Sequence, residues 1–402
     1  VTSELITDIG ELRTVDPRAA DAVSGGGSSD AAAAAVVRHD QAIVIDDGRV
    51  VWIGDSRSAP PADRKTSVGG RACLPGWVDS HTHLVFAGDR SAEFADRMTG
   101  RPYRAGGIMT TVNATRNASE AELLRGAQAL VAEASRQGTT TIEAKTGYGL
   151  DPASEERLAR VAVSVADVVT YLGAHVVPDG VDRRDYVDVV TGSMLHAVRP
   201  YVSFIDVFCE TGAFTPDESR EVLLAGRRAG LGLRVHGNQL GESGGVALAI
   251  ELGAASVDHC NHLSDADVDG LAASTTVATL LPGCDLSTRA PFAPARRLVD
   301  AGARIALATN CNPGTSFTTS MQFQVATAVL QQRLTLDEAI GAATLGGAAA
   351  LGVDAGSIRV GGAADLQVLD APSAAHIPYR PGVPLTAAVW RRGERVPAAA
   401  VL

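Results

Sequence analysis

The chain has 402 residues, 46% of them apolar and 20% charged, with a formal net charge of −11. This length allows one large domain or two to three ordinary ones around a substantial core. The acidic balance argues against nucleic acid or an anionic membrane surface as partner, because a polyanion needs a basic patch to displace its counterions.

The five cysteines, Cys73, Cys209, Cys260, Cys284 and Cys311, are widely spaced and odd in number. That suits buried thiols in a reducing compartment better than a disulfide framework. The first residues lack a basic segment followed by a long apolar one, and no apolar stretch reaches the roughly 18 residues that span a bilayer. The expectation is a cytoplasmic protein, with a signal removed before Val1 left open.

In chain order, residues 1–73 alternate short β-rich runs with turns, and Asp47-Gly48 between two apolar runs is a hairpin signal. Residues 24–29 (SGGGSS) and the alanines after them read as a surface loop. The C-terminal stretch, residues 353–402, again reads as short strands with glycine turns. Neither end alone supplies many strands, so both together are expected to build one small β-domain, a β-sandwich.

Between them, residues 74–352 have a rhythm. Apolar runs of strand length at 72–78, 139–144, 168–174, 204–209, 231–235, 255–257, 277–281 and 305–308 are mostly followed by helix-like stretches. Eight such units predict a closed (β/α)8 barrel, an α/β fold with a parallel sheet covered by helices. Helix starts are legible at Ser119, Thr215 and Thr335, each a hydroxyl followed by early acidic residues. A doubly wound open sheet is the rival, but its glycine-rich nucleotide turn is missing after the first strand.

In such a barrel, chemistry gathers where strands end. The first run leads into His81-Thr82-His83, two imidazoles on one strand face and a metal-ligand geometry. The third ends at His175, the fifth at His236, the sixth at His259 with His262 close by, and the eighth at Thr309-Asn310. Any one of these could be a core or loop histidine; the set points to a metal site.

The motifs PGWVDSHTH, HLVFAGDR, EAKTGYGL, YLGAHVVP, DVFCETGAF, HGNQ, VDHCNHL, ATLLPG and ATNCNPGTSF resemble those of the amidohydrolase superfamily, and within it the imidazolonepropionase family. The likeness runs from about residue 40 to the end. It implies a metal-bearing barrel with a β-sandwich built from both termini, one divalent metal (zinc or iron), and homodimers. It implies His81, His83 and His236 as metal ligands, with position 310 as the fourth. There the sequence departs, carrying Asn310 where the family is expected to have aspartate. An amide carbonyl can coordinate but takes no proton from water, so either the chain is impaired or His259 moves the proton.

The implied reaction is hydrolysis of the ring C–N bond of imidazolone-propionate to N-formimidoyl-glutamate. Arg90, Tyr148, His175 and Gln239 are implied as contacts to that substrate, with Asn312, Gly314 and Thr315 from the last loop. Gln239 has a possible catalytic part beside His259 and Asn310. The residues themselves leave alternatives. Arg90 could be a surface arginine paired with Asp89, and Tyr148 a turn residue. His175 could be structural. Gln239 could orient His236, and Asp258 could orient a neighbour or cap. Glu143 and Lys145 are unassigned. Two other functions stay open: another amidohydrolase such as a heterocycle deaminase, and a non-catalytic binding homologue.

Overall fold

A computed structural model describes residues 2–15, 35–100 and 107–397. The loop expected at 24–29 lies outside them. Eight parallel strands form the body: β6 (Trp77–Asp79), β7 (Thr139–Lys145), β8 (Val168–Ala174), β9 (Phe204–Cys209), β10 (Gly232–Gly237), β11 (Ser256–His259), β12 (Val277–Leu280) and β13 (Ile305–Leu307). Each pairs with the next in sequence order. The ring closes just past the first and last strands through a parallel bridge between Thr82 and Asn310. This is the expected (β/α)8 barrel.

The helices start where the sequence marks them. Ser119 and Thr215 open the helices Glu120–Arg136 and Pro216–Arg228, and Thr335 opens Leu336–Gly341. Each accepts from the backbone three residues on while the glutamate there reaches back. Such caps fix where each helix begins, and Thr215 so sets the length of the loop that follows the strand Phe204–Cys209.

The termini meet in a second, mixed sheet. β1 (Glu4–Val15), β2 (Ala35–Asp46), β3 (Arg49–Asp55), β4 (Arg64–Ser67) and β5 (Ala72–Pro75) come from one end. β14 (Leu366–Leu369), β15 (Thr386–Arg391) and β16 (Glu394–Arg395) come from the other. β14 pairs with β5 and so joins the halves. Asp47 and Gly48, both at positive φ, turn the chain between β2 and β3. The strands share one hydrogen-bonded sheet, and its own core includes Ile6, Leu12, Ile43, Leu366 and Trp390.

One strand differs from expectation. The run at 72–78 is two strands in different sheets, β5 in the terminal sheet and β6 in the barrel. Pro75 offers no N–H to continue a ladder. At Gly76 the chain crosses between sheets, donating its N–H to Asp365; a Cβ there would lie 2.2 Å from Thr140 Oγ1. All five cysteines are free and buried. No helix among the described residues is long and apolar enough to cross a membrane.

Candidate metal centre and adjoining cavity

Barrel interiors are usually filled by branched apolar side chains. This one is charged. Side chains two apart on a strand share a face, and several such positions here are polar and fully buried: Glu143 and Lys145 on β7, Asp206 on β9, Arg234 and His236 on β10, Ser256 and Asp258 on β11. With Asp79 at the end of β6, and His81 and His83 just past it, they form a buried polar stack at that end of the barrel.

His81, His83 and His236 offer nitrogens that all lie within 4.8 Å of one another. The Nε2 of His83 is 3.2 Å from that of His81 and 3.4 Å from that of His236. Behind them, carboxylates fix the other ring nitrogen. His81 Nδ1 is 2.6 Å from Asp258 Oδ2, and His236 Nδ1 is 3.1 Å from Asp206 Oδ1.

An ionised carboxylate only accepts, so both Nδ1 atoms carry the proton, and in the neutral ring Nε2 then presents a lone pair. His83 Nε2 can donate one proton at most, so at least one of these close approaches sets lone pair against lone pair. A cation between the rings relieves that. The donor set therefore fits one divalent metal ion, and its nitrogen ligands suit zinc or iron.

The protonation states agree. Burial holds His81 and His83 well below the ordinary imidazole range, helped by Lys145 and by neighbouring histidines. Burial would raise the Asp206 carboxyl, but His236 and Lys145 reverse this and hold it below the usual range. Asp258 is held well below by Arg234, His81 and Lys145, again against burial.

Position 310 completes the rim. Asn310 Nδ2 donates to Thr315 Oγ1 at 2.8 Å, which leaves its carbonyl oxygen buried and without a hydrogen-bond partner. A buried unpaired acceptor is costly unless a ligand satisfies it. Its backbone takes a positive φ of 69°, as does that of His259 at 83°. Strain of this kind at two strand ends facing one centre is a feature of functional rims. His259 stands 5.4 Å from the His236 ring, its Nδ1 buried and unpartnered, and burial pushes it down to about 3.

A cavity of about 80 Å³ adjoins the histidines, lined among others by Arg90, Tyr148, His175, Phe208 and Asn312. His175 stacks on His83 at 5.4 Å, and its Nδ1 is 3.0 Å from the Gly147 carbonyl. Tyr148 packs on both rings. Gly314 passes so close to Arg90 that a Cβ would lie 2.1 Å from Nη1. Its N–H donates to Asn312 Oδ1.

Several local readings change. Arg90 pairs with Glu93, at 2.8 and 2.6 Å, not with Asp89, which binds Ser91 instead; one helical turn brings Glu93 under the guanidinium. Gln239 does not orient His236, whose Nδ1 belongs to Asp206; its amide nitrogen lies 3.8 Å from Cys284 Sγ. Asp258 orients His81. His262 exchanges hydrogen bonds with Asn238, through its own N–H and carbonyl.

The residues that sequence reasoning missed are Asp206 and Glu93. An aspartate inside the buried apolar run FIDVFC was the available signal for Asp206.

The amidohydrolase family pattern matches residues 72–396. An imidazolonepropionase of Saccharopolyspora erythraea is 59% identical over 401 residues, covering 98% of this chain and 99% of that protein. One from Arthrobacter sp. is 57% identical over 413 residues, with 98% and 99% covered. Among solved structures, a zinc-bound adenosine deaminase of Xanthomonas campestris superposes with a TM-score of 0.70 at 19% identity, covering 98% of this chain and 92% of the other. A zinc complex of atrazine chlorohydrolase from Arthrobacter aurescens gives 0.71 at 17%, covering 98% and 94%. These two share the fold. The histidine trio, its carboxylate supports and the full-length similarity agree: the chain belongs to the amidohydrolase family, among its imidazolonepropionases.

Proposed function

We propose that the protein hydrolyses the ring C–N bond of 4-imidazolone-5-propanoate to N-formimidoyl-L-glutamate, the activity its relatives' name denotes. The observation that carries this is the small cavity placing a buried guanidinium, Arg90, beside the histidine cluster. A carboxylate tail and a planar polar ring match those two ends.

His81, His83 and His236 would hold the metal, with the Asn310 carbonyl as the fourth donor. When bound, a divalent ion supplies Lewis acidity toward the ring carbonyl and toward water. Arg90 would hold the propionate carboxylate by charge-assisted hydrogen bonds, and Tyr148 and Asn312 would line the ring's place. His175, stacked on His83, would contact the ring, and Gln239 would reach it from the opposite loop. Gly314 and Thr315 keep the last loop tight against Arg90 and Asn310.

Asn310 cannot accept a proton at neutral pH. His259 is neutral and keeps a lone pair that can take one transiently, against the burial that lowers its basicity. It would take a proton from the attacking water and return it to the ring nitrogen as the C–N bond breaks; the new carboxylic acid loses its remaining proton to solvent, leaving one carboxylate and one N–H.

The same reading places the protein in the cytoplasm, where five buried free thiols stay reduced, and makes it a homodimer by family resemblance. Sedimentation velocity tests the latter. For the activity, zinc-loaded protein should bleach the ultraviolet absorbance of imidazolone-propionate. Absence of bleaching by both the native chain and Asn310→Asp rejects it.

A further inference from the structure

Two clusters inside the barrel have metal-binding geometry. One is His81, His83 and His236; the other is Asp206, His236 and Asp258. The second already holds a cation. Lys145 Nζ lies 2.9 Å from Asp206 Oδ2, 3.0 Å from Glu143 Oε1 and 3.6 Å from Asp258 Oδ2, all with side chains fully buried.

We propose that Lys145 is a positioning residue whose ammonium fills the second cation place of the barrel, bracing Asp206 and Asp258 so that His236 and His81 aim at one metal ion. The proposal rests on the single-metal reading and is independent of which ring the enzyme opens.

The geometry reaches all three ligands from strand β7. Lys145 holds Asp206, which holds His236 Nδ1, and it approaches Asp258, which holds His81 Nδ1. His83 is reached through the backbone. The Thr82 N–H donates to Glu143 Oε2 at 3.0 Å, and the Lys145 N–H donates to the Thr82 carbonyl at 2.9 Å.

Three carboxylates around Nζ favour the ammonium, whereas carboxylation to a metal-bridging carbamate needs the neutral amine. Arg234, 3.1 Å from Asp258, is the only other cationic side chain in a salt bridge with these carboxylates among the described residues. Removing Lys145 therefore leaves Asp206 with no lysine or arginine in a salt bridge with it among the described residues.

The test reads metal, not turnover. Zinc affinity is measured by chelator competition, and the visible spectrum recorded with cobalt, for the native chain, Lys145→Met and the charge-balanced Glu143→Gln/Lys145→Met. The double variant removes one charge of each sign and carries the comparison if the single variant does not fold.

One equivalent of metal in the native chain supports the single-metal reading. An affinity about 10–100-fold weaker in the variants, with a changed cobalt spectrum, is the expected result. A purely structural lysine would lower the melting temperature and leave affinity and spectrum intact. That outcome overturns the proposal, as do two metal equivalents with bicarbonate dependence in the native chain.

Discussion

The N–H of Asn310 donates to the carbonyl of His81 at 3.0 Å, and the N–H of His83 donates to the carbonyl of Asn310 at the same distance. The seam that closes the barrel is thus made by the backbones of two metal-site histidines and the residue opposite them. Position 310 is fixed by main chain, whatever its side chain.

Asn310→Asp should therefore keep the fold, add a charge and reverse the hydrogen bond to Thr315, whose hydroxyl would then donate. Zinc should bind more tightly in chelator competition. If His259 carries the proton, turnover should change by less than about 10-fold; a gain approaching the 10²–10⁴ typical of general-base assistance would return that role to position 310.

His259→Asn should lower kcat by about 10²–10⁴ while leaving zinc stoichiometry at the native value. Equal turnover by the variant and the native chain would remove His259 from the reaction.

Arg90→Ala should raise KM for the carboxylate substrate by about 10²-fold with kcat little changed, since truncating one partner of a buried charge pair costs about 2–5 kcal/mol. Gly314→Ala should act in the same direction more weakly, because its methyl group displaces the guanidinium. Steady-state kinetics separate the two parameters. Unchanged KM in both would place the carboxylate elsewhere.

Metal-free protein should be acid-labile. His175 and His259 are pushed down to about 3 by burial, against 6.5 for free imidazole. Below pH 6.5 the unfolded chain takes up protons that the folded chain refuses, so stability falls from there and the loss levels off near pH 3. Melting temperatures of chelated protein between pH 7.5 and 5, with zinc restored as the comparison, measure this; zinc at 100 times its Kd adds about 2.7 kcal/mol. A flat profile without metal would contradict the burial of neutral imidazoles.

Much of this was legible in sequence because it is local. Continuous apolar runs marked all eight barrel strands, hydroxyl-acid pairs marked helix starts, and His81 and His83 declared a shared face. What depends on pairing through space was not. Nothing local tells that Asp206 on β9 serves His236 on β10, or that Lys145 spans both carboxylates. The break at Gly76 was hidden inside a run that reads as one strand. Glu93 was missed in favour of the nearer Asp89, since adjacency in sequence suggested a partner that the helix Ser91–Met98 turns away.

The terminal sheet has a consequence for synthesis. β5 pairs on one edge with β1, but its other edge waits for β14, nearly three hundred residues downstream. While the ribosome is still making the barrel, that edge offers unsatisfied amides to any neighbouring nascent chain, an aggregation hazard. The last fifty residues are thus the latch whose late arrival ends the chain's exposure to its own copies.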